Sequence, residues 1–175
     1  MSAGRLRAIV ISAAMGALAL VLPVVFHAVG LGSKFLPLLL PLLLNGFFVP
    51  FRWAAATGAA VPLISALATG MPPLYPPVAF VLAIEGAVLG GLASAIYRRC
   101  ERRLWPALVS AIAAGRLSTF LLTWAAAQAF GLPPALSAGA AIIQGLPGVA
   151  LQLAVVPLAV RGLANRNGIL FSNGR

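Results

Sequence analysis

Residues 77–103 read PVAFVLAIEGAVLGGLASAIYRRCERR, and this stretch decides the fold. Within its apolar run, 77–97, only Glu85 is charged. A run of that length crosses the roughly 30 Å hydrocarbon core of a bilayer as one α-helix. Four arginines then surround Cys100, and basic residues directly after an apolar run are typical of the cytoplasmic end of a transmembrane helix. The stretch therefore predicts a membrane-spanning helix.

The composition of the whole chain agrees with this interpretation. Of 175 residues, 62% are hydrophobic and only 8% are charged, whereas charged residues make up about a quarter of a soluble domain. An ordinary soluble domain is therefore excluded. The length predicts a single domain, residues 1–175.

Outward from this stretch, the sequence predicts an all-α integral membrane protein with a six-transmembrane-helix bundle. The second and third apolar runs, Phe35–Phe51 and Trp53–Thr69, are short, contain prolines and are separated only by Arg52. One re-entrant hairpin in place of these two spans is the alternative. We favour two spans because Arg52 lies between Phe51 and Trp53, a pattern typical of an interfacial turn. The six predicted spans are Ala8–Val29, Phe35–Phe51, Trp53–Thr69, Pro77–Tyr97, Leu104–Phe130 and Ala135–Val160.

The positions of the charges predict the orientation. With six spans, Lys34 is the only basic residue in the outer connections, and Arg116 lies inside a span. The excess of Lys and Arg on one side predicts cytoplasmic N- and C-termini, with Cys100 on the reducing side. Because the net charge of +10 is divided among short inner segments, it does not indicate nucleic-acid binding. The inner basic residues are Arg5, Arg7, Arg52, Arg98, Arg99, Arg102, Arg103, Arg161, Arg166 and Arg175.

Polar side chains inside the spans are the candidates for a substrate-binding site. Glu85 and Arg116 come to a similar depth, where a charge is costly and usually faces a cavity or a partner. A structural ion pair and a ligand-binding pair are both open at this point. The further candidates are the amides Asn45 and Gln144, the hydroxyl of Thr119, and His27 at the outer edge. The chain has no aspartate and no phosphate-binding loop, and we expect no catalytic residues, no metal site and no cofactor.

Small residues recur four positions apart in the first span. Ser12 and Gly16 form one such pair, and Ala13 and Ala17 form another. Small residues let helix backbones approach closely in lipid, either within the bundle or against another membrane protein. We expect Ala13, Gly16 and Ala17 to form a docking face.

Seven short motifs follow one another along nearly the whole chain: Ala13-x-x-x-Ala17, Phe26-His27-x-x-Gly30-x-Gly32, Phe35-Leu-Pro37, Thr69-Gly-Met-Pro-Pro73, Glu85, Gly115-Arg116 and Gly145-x-Pro-Gly148. Taken in this order, they resemble the substrate-binding S components of energy-coupling factor (ECF) vitamin transporters.

The resemblance implies a multi-pass protein of a prokaryotic plasma membrane that binds a vitamin-like small molecule from outside. A T component would then contact the first-span face, and two cytoplasmic ATPases would drive transport. Pantothenate, a pyridoxine-type vitamin and a thiamine precursor all remain open as substrates. Relatives often have Met-His-Ile-Pro where this chain has Leu38-Leu-Leu-Pro41, so any ligand contact by that histidine is missing.

Two other functions are open on the sequence alone. One is a stand-alone secondary transporter or channel that uses Glu85 as a proton site, and the other is a structural membrane protein in which Glu85 and Arg116 only stabilise the bundle. We further expect the Gly- and Pro-rich outer connections, Gly30–Lys34 and Gly70–Pro77, to close over a ligand.

Overall fold

The computed structural model describes residues 2–28, 30, 35, 37–75, 77–131 and 138–166, without the side chains at 27, 28, 138–142, 144 and 163–166. These residues form helices and connections, with no strand among them, as an all-α protein requires. The helices are α1 (Ala3–Ala28), α2 (Leu39–Phe48), α3 (Phe51–Thr69), α4 (Val78–Arg99), α5 (Leu104–Phe130) and α6 (Ala138–Arg166).

Among the described residues, five helices are long and apolar enough to cross a membrane. They contain the stretches Ala3–Phe26, Phe51–Thr69, Val78–Arg99, Leu104–Phe130 and Gly145–Gly162. The helices that contain them overlap five of the six predicted spans, with ends that differ by at most six residues. The protein is therefore a multi-pass helical membrane protein.

The second predicted span, Phe35–Phe51, differs from the prediction. Its regular helix, α2, has only 10 residues and is about 15 Å long at 1.5 Å per residue. All of its residues except Leu40 and Phe48 are buried, and it packs against α1, α3, α4 and α6. The strongly apolar sequence of this segment thus reflects burial at the centre of the protein rather than contact with lipid.

The turn after α2 also lies two residues earlier than predicted. Val49 is extended (φ −119°, ψ 158°), because the residue before a proline is pushed out of the helical region. Pro50 then starts α3, with its carbonyl accepting from the amides of Trp53 and Ala54. Arg52 therefore lies in the first turn of α3 and is exposed, so the prediction that it forms the turn itself was wrong.

Helix α4 lies against α2, α3 and α5, and glycines allow close backbone approaches between α3 and α4. Gly86 of α4 faces Gly58 of α3, where an added Cβ would lie 2.5 Å from the Gly58 carbonyl oxygen. One turn on, an added Cβ at Gly90 would lie 3.0 Å from the Ala54 carbonyl oxygen. This close backbone contact fixes the height and rotation of α4, and thus the position of Glu85 beside Gly86.

Basic segments that are distant in sequence meet at one end of the bundle, which we call the basic end. The start of α1, the α2–α3 turn and the end of α4 line one cavity there, with Arg7, Pro50 and Arg98 in its wall. This arrangement requires α1 and α4 to run in opposite directions, as the predicted topology does.

Candidate functional site

The candidate site lies where α4 and α5 cross. Gly115 of α5 faces Leu89 of α4, and an added Cβ at Gly115 would lie 2.9 Å from the Leu89 side chain. Glu85 and Leu89 are four residues apart and therefore share one face of α4. The glycine lets the helices approach at Leu89, and this approach brings Arg116 within reach of Glu85.

Glu85 and Arg116 form an ion pair between Oε1 and Nη2. The Glu85 side chain is fully buried, whereas the Arg116 side chain keeps 15% of its surface exposed. Both residues lie about 18–21 Å from the basic end along their helices, at 1.5 Å per residue. The predicted similarity in depth is confirmed. A charge at such a depth costs roughly 2.5–3.5 kcal/mol on insertion scales, which explains why the two groups face each other.

The ion pair leaves hydrogen-bonding capacity unused. Apart from Arg116, neither carboxylate oxygen of Glu85 has a hydrogen-bond partner among the described residues. A guanidinium carries five N–H donors, and one carboxylate can occupy only some of them. The partly exposed Arg116 can therefore donate to a second anion while it remains paired with Glu85.

Thr119 lies one turn beyond Arg116 on α5 and is buried. Its hydroxyl donates to the Gly115 carbonyl at 3.1 Å, and the hydroxyl of Ser118 donates to the same oxygen at 2.7 Å. Hydroxyls in membrane helices commonly bond their own backbone in this way. With its proton engaged, Thr119 can offer a ligand only an accepting lone pair.

Of the remaining predicted site residues, Asn45 does not join this pair. Asn45 is fully buried at the contact of α1 and α2, where its Nδ2 donates to Ser12 Oγ at 3.4 Å. Its Oδ1 has no hydrogen-bond partner among the described residues. The side chains of His27 and Gln144 lie outside the described residues, so their proposed contacts remain predictions.

The first part of the connection between α3 and α4, residues 70–75, contacts both α3 and α5 at the end opposite the basic end. Ser65 Oγ donates to the Met71 carbonyl at 2.7 Å, and the Met71 amide donates to Thr69 Oγ1 at 3.2 Å. Tyr75 meets Phe130 edge-to-face, with ring centroids 6.2 Å apart. The connection thus reaches the end of α5, the helix that carries Arg116.

The sequence interpretation missed the Tyr75–Phe130 contact. An aromatic residue in a proline-rich connection and another at a helix end were the only signals, and neither identifies its partner. Of the other predicted lid, Gly30–Lys34, residues 31–34 lie outside the described residues.

The α1 residues predicted to dock a partner divide into two groups. Ala13 and Ala17 are exposed on the outer face of α1. Gly16 is buried instead, and an added Cβ there would lie 3.3 Å from Val61 of α3. The position of Gly16 therefore suits packing within the bundle, whereas Ala13 and Ala17 are available to another protein.

A family profile described as the substrate-specific component of ECF transporters matches residues 7–160. This chain belongs to that family. An S component is the substrate-binding subunit of a transporter and not an enzyme. Membership implies a small-molecule substrate and association with a T component and ATPases. Neither the curated proteins nor the solved structures include a significant match to this S component.

Proposed function

We propose that this S component binds a carboxylate-bearing vitamin or related micronutrient at Arg116 and delivers it with a T component and two ATPases. The observation that carries the proposal is the buried Glu85–Arg116 pair, in which Arg116 remains partly exposed. A guanidinium binds a carboxylate through two parallel hydrogen bonds, which gives both affinity and orientation. Glu85 would hold the guanidinium in place, and the ligand would engage its remaining donors.

The proposed topology has six spans, with cytoplasmic N- and C-termini, in the plasma membrane of a prokaryote. The convergence of Arg7, Arg98 and Arg102 at one end supports the orientation, because cytoplasmic ends are enriched in Arg and Lys. In this topology α2 and the residues on either side of it form the second crossing, shielded from lipid by the surrounding helices. The ligand would enter from the end where Tyr75 and Phe130 meet.

The proposed docking face for the T component consists of Ala13 and Ala17. Both are exposed, and apolar side chains flank them, including Val10, Leu18 and Val21. Small residues on such a face permit close contact with another transmembrane helix. Gly16 would contribute indirectly, by seating α1 against α3.

Native mass spectrometry of the purified protein tests the proposal. We expect a small molecule with a carboxylate to remain bound through purification, and Arg116→Gln to lose it. Arg161→Gln is the matched control, because it makes the same change at an exposed residue of α6. A ligand without an anionic group, or full retention of the ligand by Arg116→Gln, would contradict the proposal.

A further inference from the structure

The cavity at the basic end is a second site, separate from the Glu85–Arg116 pair. Its volume is about 240 Å³, and it opens between the start of α1, the α2–α3 turn and the end of α4. Three arginines stand in its wall: Arg7, Arg98 and Arg102. None of the described residues that line the cavity is acidic. Glu85 is paired with Arg116, and Glu101, next to Arg102 in the sequence, is exposed and outside that lining. The wall of the cavity therefore carries a net positive charge.

The position of Arg98 is fixed by a short chain of hydrogen bonds. Its Nε donates to Ser94 Oγ at 3.3 Å, and the Ser94 hydroxyl donates to the Val49 carbonyl at 2.7 Å. Ser94 is fully buried. No other hydrogen bond of the Arg98 guanidinium is formed within the described part of the chain, so its remaining nitrogens can bind another partner. Arg7 and Arg102 each interact with a further group of the protein, and five donors allow a guanidinium to do so and still bind an anion.

The wall of the cavity also has an apolar part. Ile11, Phe47 and Phe48 contribute to its wall together with Tyr97. Phe47 and Tyr97 are both buried and meet edge-to-face, with ring centroids 5.1 Å apart. A small hydrophilic anion would satisfy the arginines but leave this apolar wall unfilled. An amphipathic anion would match both parts.

We propose that this cavity binds the headgroup of an anionic phospholipid, with its phosphate on Arg98 and Arg102 and its glycerol and upper acyl chain against Ile11 and Phe48. The basic end marks the level at which α1 and α4 leave the apolar part of the membrane, and lipid phosphates lie at that level. Basic pockets between transmembrane helices are known to bind such headgroups. The site would hold the α2–α3 turn, α1 and α4 together at the membrane surface.

The chain provides a closely matched test. Arg98→Gln with Arg102→Gln removes two charges from the cavity wall, whereas Arg99→Gln with Arg103→Gln removes two charges from the same segment outside that wall. Each full-length protein is extracted from vesicles containing equal amounts of phosphatidylcholine and phosphatidylglycerol. Bound lipids are then counted by native mass spectrometry.

We expect the wild-type protein to retain phosphatidylglycerol in preference to phosphatidylcholine. The 98/102 variant should lose about tenfold or more of this retention, because charge-assisted hydrogen bonds to phosphate are lost. The 99/103 variant should remain within about twofold of wild type, because neither of its arginines lines the cavity. Equal losses of phosphatidylglycerol in both variants would show that the lipid responds to the general surface charge. No loss in either variant would show that the cavity arginines do not bind the lipid. Either result would overturn the site.

Two further arms complete the test. If the 98/102 variant fails to fold, the lipid retention of Arg7→Gln is compared with that of Arg5→Gln. This pair makes the same test on α1, because Arg7 lines the cavity and Arg5 does not. We expect a loss of phosphatidylglycerol for Arg7→Gln alone. Inorganic phosphate added in excess should not displace the lipid. Displacement by phosphate, or equal retention by the Arg7 and Arg5 variants, would overturn the assignment to a phospholipid.

Discussion

The contact between Gly58 of α3 and Gly86 of α4 gives a sharp prediction about stability. An alanine Cβ at Gly86 would lie 2.5 Å from the Gly58 carbonyl oxygen and 3.2 Å from Leu42 Cδ1. Because the first of these neighbours is backbone, the helices must separate by a sizeable fraction of an ångström. We expect Gly86→Ala to be destabilising, because overpacking costs about 1–3 kcal/mol and the higher helix propensity of alanine offsets at most about 1 kcal/mol.

Gly58→Ala should cost at least as much, because its added Cβ would meet the Gly86 backbone and come within 2.7 Å of the Ala87 amide nitrogen. Gly162→Ala on α6 is the matched control, since an added Cβ there meets nothing within 4 Å. The free energy of unfolding is measured by titration with SDS in mixed micelles, followed by circular dichroism. If Gly58→Ala and Gly86→Ala are as stable as Gly162→Ala, the close approach of α3 and α4 is wrong.

Three further predictions concern the site, the docking face and the α3–α4 connection. Glu85→Gln and Arg116→Gln should each destabilise the protein by about 3–5 kcal/mol, and the double variant should recover much of that loss, because neither charge is then left unpaired; additive losses in the same SDS titration would show that the pair does not interact. Ala17→Leu should abolish uptake in cells that contain the T component and ATPases, while ligand binding persists. The control Ala113→Leu makes the same change at an exposed position of α5 and should leave uptake intact. If Ala17→Leu lost ligand binding together with uptake, Ala17 would be assigned to internal packing. Hydrogen exchange at Gly70–Tyr75 should slow when ligand is saturating, because this connection would close over the bound molecule; unchanged exchange would remove it from the binding site.

Much of the fold could be predicted from the sequence, because length and charge placement constrain a membrane helix strongly. Five long apolar helices of the described chain and the approach of Glu85 to Arg116 followed from apolar runs and depth alone. The exception is α2, in which a continuous apolar sequence looks the same whether lipid or protein surrounds it. The turn after α2 lies earlier than the charge of Arg52 predicts, because Pro50 forces Val49 out of the helical conformation.

The partners of side chains were less predictable, since they depend on helix rotation. The small residues of α1 look equivalent in the sequence, yet Gly16 faces α3 while Ala13 and Ala17 face outward. Asn45 is polar and buried like Glu85, but its rotation on α2 directs it to Ser12. The basic cavity combines three separate segments, and positive charges in loops do not by themselves show that they converge.

The most direct test of the central claim is the ligand affinity of the double variant Glu85→Gln with Arg116→Gln. Once the co-purified ligand is identified, its dissociation constant is measured by titration calorimetry on wild type and on the folded double variant. The proposed role of Arg116 predicts that the double variant binds about a hundredfold more weakly or not at all, because the bidentate contact to the carboxylate is lost. Wild-type affinity in a stable double variant would contradict the claim and leave Glu85 and Arg116 with a structural role only.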